Sequence, residues 1–493
     1  MSGVLILELE GQTGQMTQFL SKANRIAPRQ PERIVQFGGG NFLRGFVDWL
    51  VDVLNDEADF SAGIVLVKAR PGRYEALDAQ DGLFTTWLHG INAGEFQEQT
   101  RLIRCVNRIA YPYEDFESFL AIARQPGIRF IFSNTTEAGI AHSAADSLDA
   151  APPATFPAKL TRLLYERWRH FGGASEAGCI IIPTELITDN ATRLREIVLQ
   201  YAAQWALPPD FSGWLVDFNQ FCNTLVDRII PGYPAADAER LFAQLGYRDR
   251  LLVAGEIYHS FIIEAPPSLL DELPLERAKT PLNVKIVADA APYRTIKVRL
   301  LNGAHTAMVP LGLLLGIESV REAIEHPTLG AFIQDLIYQE VIPSVSELPR
   351  DELEAFARHV FDRFRNPRIH HRLRTISLNS ASKVKERLVP SLLGYHALYG
   401  KLPGRLVLAL AGFMRLYRGD TCPLNDDPAA LDWFAQQWET AATHADLAHR
   451  LLAQESLWGV DLSALPGLVA AIGAALKAIE AGRLEALLTR EDG

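Results

Sequence analysis

Residues 33–67 constrain the fold most, because their pattern is that of a strand, a glycine loop, a helix and a second strand. Arg33–Phe37 predicts a short buried strand, and three glycines follow it at 38–40. Apolar residues after Asn41 recur at helical spacing, and Gly63–Val67 is the next apolar run. This order is typical of the βαβ unit that opens a dinucleotide-binding sheet.

The glycine loop predicts where such a cofactor would bind. Glycines let the backbone approach a pyrophosphate, and a helix start favours its negative charge. Leu43 occupies the third position of the usual glycine fingerprint, so an ordinary glycine turn is the alternative. The predicted cofactor-binding residues are Gly38, Gly39, Gly40, Asn41, Phe42, Arg44 and, after a later strand, Asn134.

The end of the second strand bears on the choice between NAD and NADP. An acidic residue usually binds the ribose 2′-hydroxyl of NAD there. This chain has Lys68 and Arg70 instead, and Asp59 comes too early. Two cations at this point would suit a 2′-phosphate, so the residues themselves leave NADP open.

Later segments complete a two-domain prediction. Arg129–Ser133 and Cys179–Pro183 are further apolar strands that end in polar residues, as ligand-binding strands of α/β sheets do. After Leu282 the pattern becomes mostly helical. We therefore predict an α/β protein: a Rossmann-type dinucleotide-binding domain over residues 1–285, followed by a mostly α-helical domain over residues 286–493.

Composition excludes several classes of function. The net charge of −11 argues against nucleic acid as a partner. Four dispersed cysteines and the lack of HExxH-type histidine spacing give no metal site, so no metal is expected. The N-terminus lacks the basic segment of a signal peptide, and no apolar run is long enough to span a bilayer. These features predict a cytoplasmic protein without a membrane partner and leave the oligomeric state open.

A lysine, an asparagine and a histidine follow the predicted domain boundary at offsets i, i+5 and i+8. On an α-helix, Lys297, Asn302 and His305 would fall within an arc of about 140°. A lysine can transfer a proton, an amide can donate to a carbonyl oxygen that gains charge, and a histidine can orient either partner. The set suits proton transfer at a secondary alcohol, although solvated helix faces also carry such residues. Pro310 is expected to end or kink this helix.

These motifs together resemble the mannitol dehydrogenase family, over roughly residues 33 to 480. The similarity lies in four segments: residues 38–44, Thr224–Pro231, the Lys297, Asn302 and His305 set, and Asn379–Lys383. A second group of segments is most similar to the branch of the family that acts on sugar acids: Ser133–Gly139, Pro183–Ile187, Pro292–Arg294 and Ile376–Ser380.

The resemblance implies metal-independent hydride transfer between NAD(H) and a small sugar acid. It implies that Lys297 is the acid–base residue, Asn302 the carbonyl-polarising amide and His305 the orienting histidine. Glu185 and Leu186 stand where mannitol dehydrogenases tend to have Asp-Asn, which makes simple polyols less expected as substrates.

Substrate contacts are the least determined part of this prediction. Asn190 is a candidate for the displaced amide, and Arg294 is a candidate for the carboxylate, with Lys383, Arg363 and Arg365 as rivals. The alternatives to this function are the same chemistry on another keto acid or a polyol, a nucleotide-bound isomerase or epimerase, and a non-catalytic nucleotide sensor.

Overall fold

The computed structural model describes residues 18–489, which form two compact units. The first comprises residues 18–88 and 98–288, and the second comprises residues 89–97 and 289–489. The N-terminal segment on which the signal-peptide prediction rests lies outside the described residues. The strands are β1 Glu32–Phe37, β2 Gly63–Val67, β3 Phe84–Asn92, β4 Glu95–Ile103, β5 Val106–Ala110, β6 Phe130–Ser133, β7 Ile180–Pro183, β8 Gln220–Phe221, β9 Thr224–Asp227, β10 Val253–Glu256, β11 Ser260–Glu264 and β12 Val284–Val287.

A six-stranded parallel sheet forms the centre of the first unit. Its order is β5-β2-β1-β6-β7-β8, so the strand order reverses between β1 and β6. Alternate residues of the inner strands belong to two different hydrophobic cores, one on each face. Burial on both faces explains why these strands are continuous apolar runs in the sequence. Two three-stranded sheets, β10-β3-β4 and β12-β11-β9, complete the β-structure of the described chain.

Helices cover both faces of the parallel sheet, as expected for a Rossmann-type domain. They are α1 Asn41–Gly45, α2 Val47–Glu57, α3 Glu75–Ala79, α4 Phe116–Ala123, α5 Phe156–His170, α6 Asn190–Gln204, α7 Pro209–Phe218, α8 Ala238–Leu245 and α9 Leu269–Glu272. The single helix expected after Asn41 is divided at Phe46, whose φ and ψ are −125° and −72°. At this break, the Gly45 carbonyl accepts a hydrogen bond from Arg228 Nη1 at 2.9 Å.

A buried carboxyl group on α2 makes the stability of the protein depend on pH. Asp48 is fully buried, and burial raises its pKa to about 7 against the opposing effect of Arg44. The folded protein therefore retains a proton that the unfolded chain loses near pH 4. Its unfolding free energy should fall as pH rises from about 4 to 7, by up to roughly 4 kcal/mol from this group.

The variant Asp48→Asn removes this titration while keeping the shape of the side chain. We expect its stability relative to the wild type to be greater at pH 8 than at pH 5, as measured by urea unfolding at the two values. Asp217→Asn, at an exposed position on α7, is the control. An Asp48→Asn advantage that does not change with pH would contradict the assignment.

The second unit is built almost entirely of helices. They are α10 Ala291–Ile296, a π-helical segment Lys297–Asn302, α11 Gly303–Leu314, α12 Val320–Glu325, α13 Pro327–Asp335, a second π-helical segment Leu336–Val341, α14 Arg350–Phe364, α15 Leu373–Ile376, α16 Ser380–Arg387, α17 Val389–Tyr399, α18 Gly404–Leu416, α19 Pro428–Thr440, α20 His444–Leu452, α21 Glu455–Trp458, α22 Leu468–Glu480 and α23 Leu484–Leu488. The prediction of an α/β protein with a mostly helical C-terminal part is confirmed.

Helix α11 continues the π-helical segment of Lys297 and Asn302, and it carries His305. It packs against α13, α15, α16 and α18. A Cβ at Gly412 would lie 2.6 Å from Leu311 Cδ2, so a larger residue there would have to displace the Leu311 side chain where α18 meets α11. Pro310 does not end the helix, since α11 continues to Leu314. Tight burial of this helix offsets the lost backbone hydrogen bond, which costs about 3 kcal/mol.

Within residues 18–489, no helix combines the length and apolar character needed to cross a membrane.

Candidate active site

The glycine loop lies between β1 and α1, at the carboxyl end of the parallel sheet. Gly38 has a φ of +113°, and a Cβ there would lie 3.2 Å from the Asn134 carbonyl oxygen. Its N–H donates to the Val67 carbonyl at 3.1 Å, and the Gly39 N–H donates to Tyr74 Oη at 3.1 Å. A Cβ at Gly40 would meet no atom within 4 Å. The open backbone from residue 40 onward is therefore the part of the loop that can approach a pyrophosphate.

The side chains of Asn41 and Arg44, both predicted to bind the cofactor, hold the loop in place. Gly40, not Asn41, is the N-cap of α1. Asn41 Oδ1 accepts a hydrogen bond from Arg44 Nη2 at 2.6 Å, and Arg44 Nη1 donates to the Leu251 carbonyl. Arg44 is 7% exposed, and its guanidinium lies 5.3 Å from the centre of the Phe84 ring. These contacts give Arg44 a structural role and do not support phosphate binding by its side chain.

A pocket of about 220 Å³ opens at the ends of β6 and β7, on the other side of the strand-order reversal from β2. It is lined by Phe42, Asn134, Thr136, Thr184, Glu185 and Leu186. In Rossmann-type domains a dinucleotide lies across this reversal, one nucleotide on each half of the sheet. The pocket is therefore placed to take the second nucleotide. Phe42 and Asn134 were predicted from the sequence, whereas Thr136 and Thr184 were missed.

Polar side chains in this pocket hold one another in fixed orientations. Asn134 Nδ2 donates to the Thr184 carbonyl at 2.8 Å. The Glu185 carboxylate accepts from Ser133 Oγ at 3.0 Å and from the Thr135 N–H at 2.9 Å. Burial raises the pKa of Glu185, and these hydrogen bonds oppose the rise. The open loop, the pocket and its fixed polar groups fit a bound dinucleotide.

Asn190 is fully buried, and its amide is used within the protein. Its Nδ2 donates to the Pro183 and Glu185 carbonyls at 3.1 Å and to Thr224 Oγ1 at 2.9 Å. Its Oδ1 accepts from the Thr224 N–H at 3.0 Å. The amide joins β7 to β9, so the structure does not support the prediction that Asn190 contacts substrate.

The backbone that carries Lys297 and Asn302 is π-helical, not α-helical as expected. The Gly303 N–H bonds to the Val298 carbonyl, five residues earlier. In such a turn, residues five apart lie above one another much as i and i+4 do on an α-helix. The π-turn therefore brings Lys297 and Asn302 closer to one face than an α-helix would. π-Bulges of this kind are frequent at functional sites.

His305 follows Asn302 by one turn and has a buried ring nitrogen without a hydrogen-bond partner among the described residues, Nε2. Its ring centre lies 4.5 Å from that of Phe364 and 4.9 Å from that of His371. Burial is the main reason that the pKa of His305 lies well below its usual value, and the nearby basic residues add to the effect. The imidazole is therefore neutral at physiological pH, with Nε2 available to a ligand.

Basic side chains surround His305, and sequence reasoning missed two of them, His371 and Arg387. His371, Arg363, Arg387 and Lys383 all lower its pKa. Lys383 Nζ donates to the Ile376 carbonyl at 2.8 Å and to the Leu378 carbonyl. Arg387 ends α16 one turn beyond Lys383, and that i, i+4 spacing was the available signal. Arg294 is half-buried on α10, directly before the π-turn.

Across residues 18–489, the structure places no three His, Cys, Asp or Glu side chains together as a metal site would require.

Two family models match the chain and together cover most of it. The mannitol dehydrogenase Rossmann domain matches residues 32–277, and the mannitol dehydrogenase C-terminal domain matches residues 289–480. The parallel sheet with its glycine loop and these matches define an oxidoreductase that acts on CH–OH groups with a nicotinamide dinucleotide cofactor. The chain belongs to the mannitol dehydrogenase family.

Curated relatives are similar over nearly the whole chain. An altronate oxidoreductase of Pectobacterium carotovorum subsp. carotovorum (strain PC1) is 46% identical, over 94% of this chain and 97% of the relative. One of Klebsiella pneumoniae (strain 342) is 48% identical, over 93% and 97%. One of Escherichia coli O7:K1 (strain IAI39 / ExPEC) is 47% identical, over 95% and 99%.

Solved structures share the fold. A substrate-free D-sorbitol dehydrogenase superposes with a TM-score of 0.75 at 22% identity, covering 93% of this chain and 95% of that one. Pseudomonas fluorescens mannitol 2-dehydrogenase, in a ternary complex with NAD and D-mannitol, gives 0.61 at 21% identity, covering 96% and 99%.

Proposed function

We propose that this protein is an NAD-dependent reductase that converts D-tagaturonate to D-altronate reversibly and without a metal ion. The observation that carries the proposal is the placement of Lys297, Asn302 and His305 on one π- and α-helical face, among basic side chains suited to an acid. Relatives named altronate oxidoreductase at 46–48% identity support the choice of substrate.

The three residues have separate roles in this mechanism. When bound, the reduced dinucleotide supplies the hydride that reaches the ketone carbon. Asn302 donates a hydrogen bond to the ketone oxygen as negative charge develops on it. Lys297 transfers a proton to that oxygen, which completes the secondary alcohol. His305, neutral and half-buried, orients the substrate hydroxyl groups or Lys297 through Nε2.

Cofactor binding is proposed for the loop and pocket of the first unit. Backbone groups from Gly40 to Phe42 would face the pyrophosphate, while Gly38 and Gly39 allow the tight turn. Asn134 would hold the second nucleotide with its carbonyl oxygen, Oδ1.

NAD is proposed over NADP. One of the two cations that could favour NADP, Lys68, lies 4.7 Å from the centre of the Tyr74 ring. That cation–π contact directs it toward the Gly39 loop. Arg70 is exposed. A 2′-phosphate of NADP could therefore bind Arg70 without disturbing the contact between Lys68 and Tyr74.

The test is a substrate panel with purified protein, in which NADH consumption is followed by absorbance. D-Tagaturonate, D-fructuronate and D-fructose are offered in parallel, with NADPH as a second cofactor. We expect tagaturonate with NADH to give the highest kcat/KM. Preference for fructuronate or fructose would indicate a fructuronate reductase or a mannitol 2-dehydrogenase. Product formation without NADH consumption would indicate an isomerase or epimerase, and no reaction at all would indicate a nucleotide sensor.

A further inference from the structure

Arg387 is a half-buried cation with little to bind inside the protein. Its guanidinium donates one hydrogen bond, from Nη1 to Thr306 Oγ1 at the long distance of 3.3 Å. In the described part of the chain, it forms no ion pair. A guanidinium has five N–H donors, and leaving them unpaired in a partly buried site is unfavourable. Burial also lowers the pKa of Arg387, which is the expected effect of a cation lacking an anion.

The surroundings of Arg387 contain more positive than negative charge. Lys383 and Arg363 lie near the same histidine as Arg387. Of the carboxylates in this region, Glu386 is exposed to solvent, and Asp426 accepts hydrogen bonds from the Ala381 N–H at 3.0 Å and from Tyr417 Oη. An anionic ligand would balance this charge, and the unpartnered Nε2 of His305 independently indicates that a ligand belongs here.

We propose that Arg387 binds the carboxylate of the sugar-acid substrate and determines the preference for acids over neutral ketoses. The inference rests on the proposed function and adds the residue that recognises the charged end of the substrate. Thr306 follows Asn302 by four residues, a rise of about 6 Å along the helix, and its Oγ1 donates to the Asn302 carbonyl at 2.9 Å. A hexulosonate carries its ketone next to one end of the carbon chain and its carboxylate at the other end, a separation of similar order. A ketone at Asn302 would therefore place the carboxylate at the guanidinium above Thr306.

The other cations are less suited to this role. Lys383 already donates to two backbone carbonyls. Arg365 lines a separate pocket together with Arg358 and Asp362. Arg294, predicted from the sequence, is the principal competitor, while Arg387 offers a bidentate fork that is already hydrogen-bonded to Thr306, one turn beyond Asn302.

The test compares charged and neutral ligands of otherwise similar shape. In Arg387→Gln we expect KM for the keto acid to rise about 10- to 100-fold, the usual effect of losing a hydrogen bond to a charged group, with kcat within a few-fold of the wild type. Activity on the neutral ketose D-tagatose should be unchanged. Calorimetry should show weaker binding of D-altronate, while binding of D-altritol stays the same. Arg387→Lys keeps the charge without the fork, so its KM should be intermediate.

Two further variants separate this role from its rivals. Lys385→Gln removes one charge from an exposed position of the same helix. It should change neither the binding of the charged ligand nor that of the neutral ligand. Equal losses for charged and neutral ligands in Arg387→Gln would assign Arg387 a structural role and overturn the proposal. The proposal would also be overturned if Arg294→Gln, and not Arg387→Gln, selectively weakened the binding of ligands that carry a carboxylate. If the wild type prefers fructuronate, the choice of tagaturonate as substrate is wrong, and the role of Arg387 is tested with fructuronate instead. If the wild type prefers neutral ketoses, both the sugar-acid substrate and the role of Arg387 are overturned.

Discussion

Replacing Lys297 by alanine should lower kcat about 10²- to 10⁴-fold, the range typical for loss of a positioned acid–base group. The affinity for NADH, measured by fluorescence titration, should remain near that of the wild type, because the predicted cofactor contacts lie in the first unit. Lys297 belongs to the π-turn, whose backbone bonds do not involve its side chain.

Small amines give this prediction a sharper readout than the loss alone. In Lys297→Ala, added ethylamine should restore part of kcat, since the truncated side chain leaves room for a soluble proton donor. Lys401→Ala, at an exposed position of the same unit, is the matched control and should show neither loss nor rescue. Turnover of Lys297→Ala close to that of the wild type would remove Lys297 from the acid–base role.

The sheet and its glycine loop were predictable because local sequence determines them. β1, β2, β6 and β7 are buried on both faces, which leaves continuous apolar runs that can be recognised without knowing their partners. Gly38 is required by its positive φ and by the close approach of Asn134. The lysine, asparagine and histidine were predicted from their spacing together with the family resemblance, and their catalytic roles are a proposal.

The π-turn was not predictable from that spacing. Whether a backbone amide pairs with the carbonyl four or five residues back depends on packing around the helix, and hydrophobic periodicity cannot distinguish the two over six residues. The error concerned the backbone geometry, and the π-turn brings Lys297 and Asn302 closer to one face than the expected α-helix would.

Side-chain roles that depend on distant partners were also beyond the sequence. Arg44 donates a hydrogen bond to the carbonyl of Leu251, which lies more than two hundred positions further along the chain. Asn190 donates a hydrogen bond to Thr224 on β9. Arg387 can donate a hydrogen bond to Thr306 only because α16 packs against α11. In each case, residue type indicated a polar interaction, but only tertiary structure identified the partner.

Asn302 is expected to contribute through the hydrogen bond that its amide donates, so the two smallest changes to it should both be damaging. Asn302→Ala should lower kcat about 10²- to 10³-fold with little change in KM, as for loss of one oxyanion donor. Asn302→Asp keeps the size of the side chain but places a carboxylate oxygen against the developing alkoxide. Its kcat should therefore be at most that of the alanine variant.

This order of the two variants distinguishes catalysis from packing. If Asn302 only filled space beside the Thr306 hydroxyl, the near-isosteric aspartate would be tolerated better than alanine, and the order of kcat values would reverse. Asn425→Asp, at an exposed position of the same unit, tests whether one added negative charge affects turnover in general. Single-turnover measurement of NADH oxidation is the suitable readout, because it reports the chemical step without product release. A wild-type rate in Asn302→Asp would show that no amide donor is needed there, and stabilisation of the alkoxide would then have to come from Lys297 alone.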